Sequence, residues 1–283
     1  MTAGEDFSPP LQEYSGLPRG PLSERMPGQA VIEELLASHQ LDPPRGRLGR
    51  LFGVRPLGVE TTPWYWGALG ELEVGRILGS LGPEWTVLHA VPVGNRSSDI
   101  DHVVIGPSGI FTLNTKRHAG QSVWTAKGTF LVAGKRQPYI RNSVYEADRA
   151  AKLLSAAVGR DLRASAGIVI VGAKSVTVKE KHQTVAVLTP RQLVRWLTRR
   201  SPVLTPQQVA IISAAAVRPE TWKRNPPVLQ VPGLVASEFA ALGRIIDQAR
   251  RRRIGWALAM LLTAFGLLSG VLPTLLAGSL LSP

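Results

Sequence analysis

The sequence predicts an α/β domain followed by an apolar C-terminal anchor. Three observations lead to this prediction. Short apolar strand patterns alternate with helical patterns between residues 61 and 217, no charged residue follows Arg253, and an arginine run at 250–253 precedes that charge-free tail. Alternating strands and helices are typical of a sheet covered by helices. The 283 residues are enough for one sizeable domain with terminal extensions, or for two small domains.

Composition and charge narrow the possible functions. The chain contains no cysteine, which excludes disulfides, thiolate zinc sites and cysteine nucleophiles. The formal net charge is +13 at pH 7. A strongly basic protein favours acidic partners, here nucleic acid, anionic lipid or both.

The domain organisation follows from shifts in composition. Residues 1–60 are rich in Pro, Gly, Arg and acidic residues, with a helical pattern only at 31–41, so we expect a variable leader that is largely disordered or loosely docked. No apolar signal-peptide segment occurs in it. We expect the globular domain at 61–217, a linker and basic juxtamembrane helix at 218–253, and the anchor at 254–281.

The elements of the domain can be predicted from periodicity and turn residues. In chain order they are a helix at 65–81, a strand at 85–91, a hairpin at 99–116, a strand pair at 124–134, a helix at 142–158, strands at 166–173 and 185–190, and two short helices that begin after Thr189 and Thr205. A threonine followed by proline is a common helix start, and both short helices have it.

The tail from Ile254 predicts a membrane helix. A bilayer core needs about 20 consecutive apolar residues, and the run without charge continues to the last residue given. A buried core helix is the alternative, but a long uncharged tail favours the membrane. The four preceding arginines indicate that the domain stays on the cytoplasmic side. We therefore expect a single-pass protein of the cell membrane.

The hairpin at 99–116 concentrates polar residues at one end. With a turn at Gly106–Gly109, Ile105 lies opposite Ile110, and the same register sets Asp101 opposite Asn114. Lys116 shares the face of Asn114, because side chains alternate along a strand. Asp101, Asn114 and Lys116 are therefore expected to converge.

A further acid, Glu71, is expected to point toward the sheet. It lies on the same helical stripe as Val74 and Leu78, three and seven residues later. An inward acid needs a cation, a lysine or a metal ion as its partner. A plain Glu71–Lys116 ion pair without chemistry is an open alternative.

These motifs together resemble the nuclease-related domain (NERD) family of the PD-(D/E)xK nuclease superfamily. They are G-x-x-G-E at 67–71, I-D-H-V-V at 100–104 and G-P-x-G-I-F-x-x-x-x-K at 106–116. The resemblance covers about residues 64 to 175. It implies a restriction-endonuclease-like core, in which helices flank a mixed central sheet.

The resemblance also implies Mg²⁺-dependent (or Mn²⁺-dependent) phosphodiester hydrolysis. It assigns Asp101 as the metal-binding aspartate, Lys116 as the lysine that orients or activates water, and Glu71 as the acid on the helix. Asn114 departs from the pattern, which has Glu or Asp there. An amide oxygen can bind a hard cation without neutralising it, so Asn114 stays in the expected ligand set with Asp101 and Glu71.

Residues around this cluster are candidates for other roles. Basic residues near aromatic ones suit a nucleic acid backbone, and the candidates are Arg117, His118, Lys135, Arg136 and Arg141. His102 should face away from Asp101, in a packing or hydrogen-bonding role. Glu146 and Arg149 are three residues apart on a helix, so we interpret them as a structural ion pair.

Three functions fit the sequence. The first is a membrane-tethered nuclease that cleaves DNA or RNA, with DNA as the first candidate. The second is a catalytically impaired domain that binds nucleic acid or acts as a scaffold at the membrane. The third is a membrane adaptor whose basic charge serves anionic lipid.

Overall fold

The computed structural model describes residues 22–93, 99–225 and 230–279, with side chains as far as Ser269. Its strands are β1 (Thr86–Pro92), β2 (Asp99–Gly106), β3 (Gly109–Arg117), β4 (Ser122–Ala126), β5 (Thr129–Val132), β6 (Lys135–Arg136), β7 (Ala164–Val171), β8 (Ser175–Glu180) and β9 (Val185–Leu188). Its helices are α1 (Gln29–Gln40), α2 (Arg47–Leu51), α3 (Thr61–Leu78), α4 (Tyr139–Val158), α5 (Pro190–Thr198), α6 (Pro206–Ala216), α7 (Pro219–Trp222) and α8 (Pro232–Ser279).

The central sheet has the strand order β1-β2-β3-β7-β9 and is mixed. Strands β1, β2 and β3 are antiparallel neighbours, whereas β7 is parallel to β3 and β9 is parallel to β7. A smaller sheet, β6-β5-β4-β8, lies beside it. The prediction of a mixed α/β fold with sheets flanked by helices is therefore confirmed.

The β2–β3 hairpin has the predicted register. Ile105 pairs with Ile110, Val103 with Thr112, and Gly106 with Gly109. The turn depends on glycine, because Gly109 has a φ of +126°, a conformation that residues with a Cβ rarely adopt. A one-residue shift of register would reverse the two faces of the hairpin, so this pairing decides which side chains meet.

One face of the central sheet is covered by α3. Val74 and Leu78 of α3 pack in one cluster with Val104 of β2 and with Phe111 and Leu113 of β3. Alternating strand positions bring these residues to the same side of the sheet. The face of Leu113 is therefore the α3 face.

The opposite face is covered by α4. Ala150 and Leu154 of α4 pack in one cluster with Val103 and Ile105 of β2 and with Ile110 of β3. Because side chains alternate along each strand, Asp101 and Asn114 belong to this α4 face.

The segment before the domain packs against it, which its composition did not indicate. Leu22, Ile32 and Leu35 are fully buried. Helix α1 shares an apolar cluster with α3 and with Val235 of α8. The first 21 residues of the expected leader lie outside the described residues.

Helices α5 and α6 begin as predicted. Thr189 and Thr205 each precede a proline, and each forms a reciprocal capping arrangement with a glutamine three residues later. These caps fix where the chain turns after β9, so that α5 packs on the α3 face through Leu193 and Leu197.

Helix α8 runs from Pro232 to Ser279 without a break. Among the residues that the structure describes, none of the helices combines the length and apolar character that a bilayer crossing requires. The transmembrane helix expected at 254–281 is thus not borne out. Side chains are described for only part of its apolar run, up to Ser269, and residues 280 and 281 lie outside the described part of the chain.

Candidate functional site

A cavity of about 520 Å³ opens where the central strands end beside α3. Its lining includes Asp101 of β2, Lys116 of β3 and Glu71 of α3. The three charged residues that the sequence grouped are therefore neighbours in space. The predicted inward direction of Glu71 is also observed, since only 8% of it is exposed.

Backbone contacts fix the position of Asp101. Its Oδ2 accepts a hydrogen bond from the backbone N–H of Thr115 at 2.6 Å. Strand β3 is held in turn by β7, which pairs with it from Ile110 to Arg117. The carboxylate is thus attached to rigid strands, as a site that must keep its geometry requires.

Gly70 allows α3 to approach these strands closely. A Cβ at Gly70 would lie 3.3 Å from Cγ2 of Thr115 and 3.4 Å from Cβ of Arg117. A larger residue would therefore push the helix away from β3. The glycine brings the adjacent Glu71 to the end of the sheet, although α3 covers the face opposite to that of Asp101.

The acids of this region repel one another. Burial raises the pKa of Glu71 well above its usual value, and the charges of Asp101 and Asp99 raise it further. Burial also raises the pKa of Asp101, although Lys116 and the Thr115 amide act in the opposite direction. For Asp99, burial and the charge of Asp101 raise the pKa to about 7. The site therefore brings three acidic side chains into electrostatic contact near one lysine.

Asn114 makes a contact that the sequence analysis missed. Its Nδ2 donates to both carboxylate oxygens of Glu146 on α4, at 3.0 Å each. The expected structural pair of Glu146 with Arg149 is not what the structure contains, because Arg149 donates instead to the hydroxyl of Tyr145 at 3.5 Å. Burial raises the pKa of Glu146 to about 7, with Asp101 contributing in the same direction.

Two buried oxygens at the site have no hydrogen-bond partner. They are Oε2 of Glu71 and Oδ1 of Asn114. Unsatisfied buried oxygens are costly, so they indicate that a cation or water belongs there. Within the described residues, no group of three or more acidic, histidine or cysteine side chains is arranged to enclose a metal ion.

A buried arginine approaches the acids from the N-terminal segment. The guanidinium of Arg25 donates to the carbonyl oxygen of Ala90 and lies 3.9 Å from Glu33. Its charge also lowers the pKa values of Glu71 and Asp99. Sequence patterns gave no signal for this contact, because it joins residues 65 positions apart.

His102 has the structural role that the sequence predicted. It is fully buried, and its Nδ1 lies 2.8 Å from Nδ1 of His89 on β1. Its Nε2 lies 3.3 Å from the hydroxyl of Thr115. Burial lowers the pKa of both histidines, to about 4 for His89. When both rings are neutral, the Nδ1–H of one histidine can donate a hydrogen bond to Nδ1 of the other.

Aromatic rings surround the basic residues at the mouth of the cavity. The guanidinium carbon of Arg117 lies 5.0 Å from the ring centroid of Trp66. Lys116 Nζ lies 5.4 Å from the Tyr139 ring, on which His118 stacks at 5.8 Å. All five residues line the cavity.

The other basic residues that were expected to bind nucleic acid are not among those that line this cavity. Lys135 and Arg136 are exposed on β6, and Arg141 is exposed in the first turns of α4. The structure therefore divides the predicted set into two groups. Arg117 and His118 line the cavity with the acids, and the remaining three are surface residues.

The sequence profile of one protein family, the nuclease-related domain, matches residues 66–178. The match begins within α3 and ends within β8, so it includes the strands and the helix that carry the site. It agrees with the PD-(D/E)xK-like nuclease superfamily. No curated protein and no solved structure matches the chain.

Proposed function

We propose that this protein is a nuclease that hydrolyses phosphodiester bonds with Mg²⁺ or Mn²⁺, with DNA as the first candidate substrate and RNA as the second, because residues 66–178 match the nuclease-related domain. The observation that carries the proposal is the cavity in which Glu71, Asp101 and Lys116 meet. Acids and a lysine at the end of a strand pair are the groups that metal-assisted hydrolysis needs.

The donor atoms suit a hard divalent cation. Asp101 and Glu71 offer carboxylate oxygens, and Asn114 offers an amide oxygen. Mg²⁺ is commonly held through one or two carboxylates and keeps several waters, so it does not need an enclosing set of acids. The unpartnered oxygens of Glu71 and Asn114 support this assignment.

The chain's own residues would each have a defined task. When bound, the metal would lower the pKa of a water and offset charge on the phosphate. Asp101, fixed by the Thr115 amide, would hold the ligand set in place. Lys116 would orient the attacking water and stabilise the charge that develops on the phosphate oxygens. Arg117 would contact a neighbouring phosphate as a guanidinium donor.

A second candidate function is nucleic acid binding without cleavage. Asn114 favours it, because a neutral amide stands where the superfamily pattern has an acid. The aromatic and basic residues at the mouth of the cavity would still bind a nucleic acid strand, since rings stack on bases and cations contact phosphates. This candidate shares the surface of the nuclease but not its chemistry.

The decisive experiment compares cleavage and binding in the full chain, purified in mild detergent. Plasmid and single-stranded DNA would be incubated with Mg²⁺, Mn²⁺ or EDTA. We expect metal-dependent cleavage that Lys116→Ala abolishes and Lys127→Ala leaves intact, since Lys127 is a surface residue paired with Glu180. No cleavage, with DNA still retained in a gel shift, would identify the binding protein instead. No DNA binding at moderate salt would leave anionic lipid as the partner.

The location is also a proposal: the protein resides at the cell membrane, with the nuclease-related domain on the cytoplasmic side. Apolar side chains of α8, among them Leu262 and Phe265, are exposed, and the arginine run at 250–253 suits anionic headgroups. Flotation with vesicles of phosphatidylglycerol and phosphatidylcholine tests this. The double variant Leu262→Asp with Phe265→Asp should stay in the soluble fraction, and equal flotation of both proteins would contradict the proposal.

A further inference from the structure

Glu146 lies where the proposed catalytic site lacks an acid. The side chains of Asp101 and Asn114 belong to the α4 face of the central sheet, and Glu146 approaches that face from α4. Both its oxygens accept hydrogen bonds from Nδ2 of Asn114 at 3.0 Å. Its carboxylate therefore stands within one hydrogen-bond length of the side chain at position 114.

Asn114 cannot supply the missing charge itself. It is almost fully buried, its Nδ2 is engaged by Glu146, and its Oδ1 has no partner. An amide in this arrangement positions a carboxylate with one atom and presents an oxygen with the other. Such outer contacts commonly orient metal-binding carboxylates.

The charges of the region favour the binding of a cation. Glu71, Asp99, Asp101 and Glu146 carry four carboxylates, and Lys116 and Arg25 are the cations that act on them. Four neighbouring acidic side chains beside two basic ones favour the binding of a further positive charge. Glu71 is 8% exposed and lines the cavity together with Asp101, and its unpartnered Oε2 independently favours a bound cation.

We propose that Glu146 on α4 supplies, beside Asp101, the carboxylate that position 114 lacks in the divalent-cation site, and that Asn114 is the positioning residue that aims it. The acid that the superfamily pattern places on the strand would thus be provided by the neighbouring helix. Asp101 and Glu146 would both contact the cation from the α4 face of the sheet. This inference rests on the proposed function, since it concerns the same cation.

The test is Mn²⁺ binding to the full chain in detergent, measured by the electron paramagnetic resonance signal of free Mn²⁺. This readout is independent of cleavage. We expect Glu146→Gln to weaken Mn²⁺ binding by at least about 10- to 100-fold, the loss that even an outer-shell change typically causes. The glutamine keeps an oxygen that can accept the hydrogen bond from Asn114, so the substitution removes the negative charge and keeps this contact.

A matched control and an exchange variant separate charge from folding. Asp148→Asn removes an acid from the exposed side of α4, two residues away, and should leave Mn²⁺ binding unchanged. Combining Asn114→Asp with Glu146→Gln returns the acid to β3 and leaves an amide on α4. We expect this double variant to recover most of the Mn²⁺ affinity. Because it also contains Glu146→Gln, its recovery would show that this substitution does not prevent folding.

The outcomes distinguish this inference from the proposed function. Unchanged Mn²⁺ binding in Glu146→Gln, with binding lost in Asp101→Asn, would overturn the role of Glu146 and leave the nuclease proposal intact. A double variant that folds, as judged by circular dichroism, but does not bind Mn²⁺ would also overturn it. Absence of Mn²⁺ binding in the unaltered chain would reject both proposals.

Discussion

Asp101 and His102 are adjacent on β2, yet they occupy two very different polar environments. His102 faces α3, where His89 and Thr115 engage both of its ring nitrogens. Asp101 faces α4, beside Glu146, whose pKa its charge raises, and an amide oxygen that has no partner. The first environment is complete in the protein alone, and the second is not.

This difference separates buried polar groups that serve structure from those that serve a ligand. A closed set of hydrogen bonds stabilises the fold, because every donor and acceptor finds a partner without solvent. An excess of like charge destabilises the fold, and such excess clusters at functional sites. Substitutions on the two faces should therefore change different properties.

The largest effect is expected from Asp101→Asn. We expect cleavage to fall by on the order of 10²–10³ or more, the scale for losing one preorganised charged or polar group. Stability without metal should stay the same or rise, because a buried charge is removed. Plasmid cleavage and thermal unfolding in EDTA measure the two effects on one preparation. A strong loss of stability would mean that Asp101 is a structural residue like its neighbour.

His102→Leu should show the opposite pattern. It leaves the ring of His89 without its partner, and losing a buried hydrogen-bond partner costs about 1–3 kcal/mol. Denaturant unfolding measures this loss. Mn²⁺ affinity should remain within a few fold of the unaltered chain, because His102 points away from the cavity. A variant that loses Mn²⁺ binding while unfolding normally would break the distinction between the two faces.

The sequence predicted the Asp101 side of the site better than the Glu146 side, for a physical reason. The hairpin register follows from local rules, namely a short turn at Gly106–Gly109 and strict alternation, and the 3.6-residue period oriented Glu71. Glu146 depends on the distance between α4 and β3, which no local pattern encodes. The sequence spacing predicted an ion pair between Glu146 and Arg149, but in the tertiary structure Glu146 contacts Asn114 instead.

The same reasoning explains the N-terminal segment. Its Pro- and Gly-rich composition indicated weak order, and composition reports only the average cost of ordering a chain. The burial of Leu22 and Arg25 depends on a complementary surface on the domain, formed partly by Trp222 and Ala90. Such surfaces arise from residues distant in sequence, so they are visible only in the fold.

A smaller effect should come from titrating His89. Burial lowers its pKa from 6.5 to about 4, so the unfolded chain binds the proton more tightly than the folded one. The free energy of unfolding should therefore fall as the pH drops from about 6.5 to about 4, with no further loss from this group below that. The acids on the other face contribute in the opposite direction, because their pKa values are raised.

The contribution of His89 is therefore measured as a difference. Denaturant unfolding of the unaltered chain and of His89→Gln, compared at pH 7.5 and pH 4.5, cancels the acids that both proteins share. The variant should lose less stability over this range than the unaltered chain. Equal losses in the two proteins would mean that His89 accepts a proton in the fold as easily as in the unfolded chain.

The smallest effects are expected from the basic residues that lie away from the cavity. Lys135→Ala and Arg136→Ala should each weaken DNA binding modestly and equally for all sequences, and should lower the slope of log affinity against log salt by about 0.9. Arg117→Ala removes a cation that lines the cavity, so it should lower cleavage as well as this slope. Fluorescence anisotropy at four salt concentrations gives the slopes. If Lys135→Ala leaves the slope unchanged, bound DNA does not extend from the cavity to β6, and phosphate contacts are confined to the rim formed by Arg117 and His118.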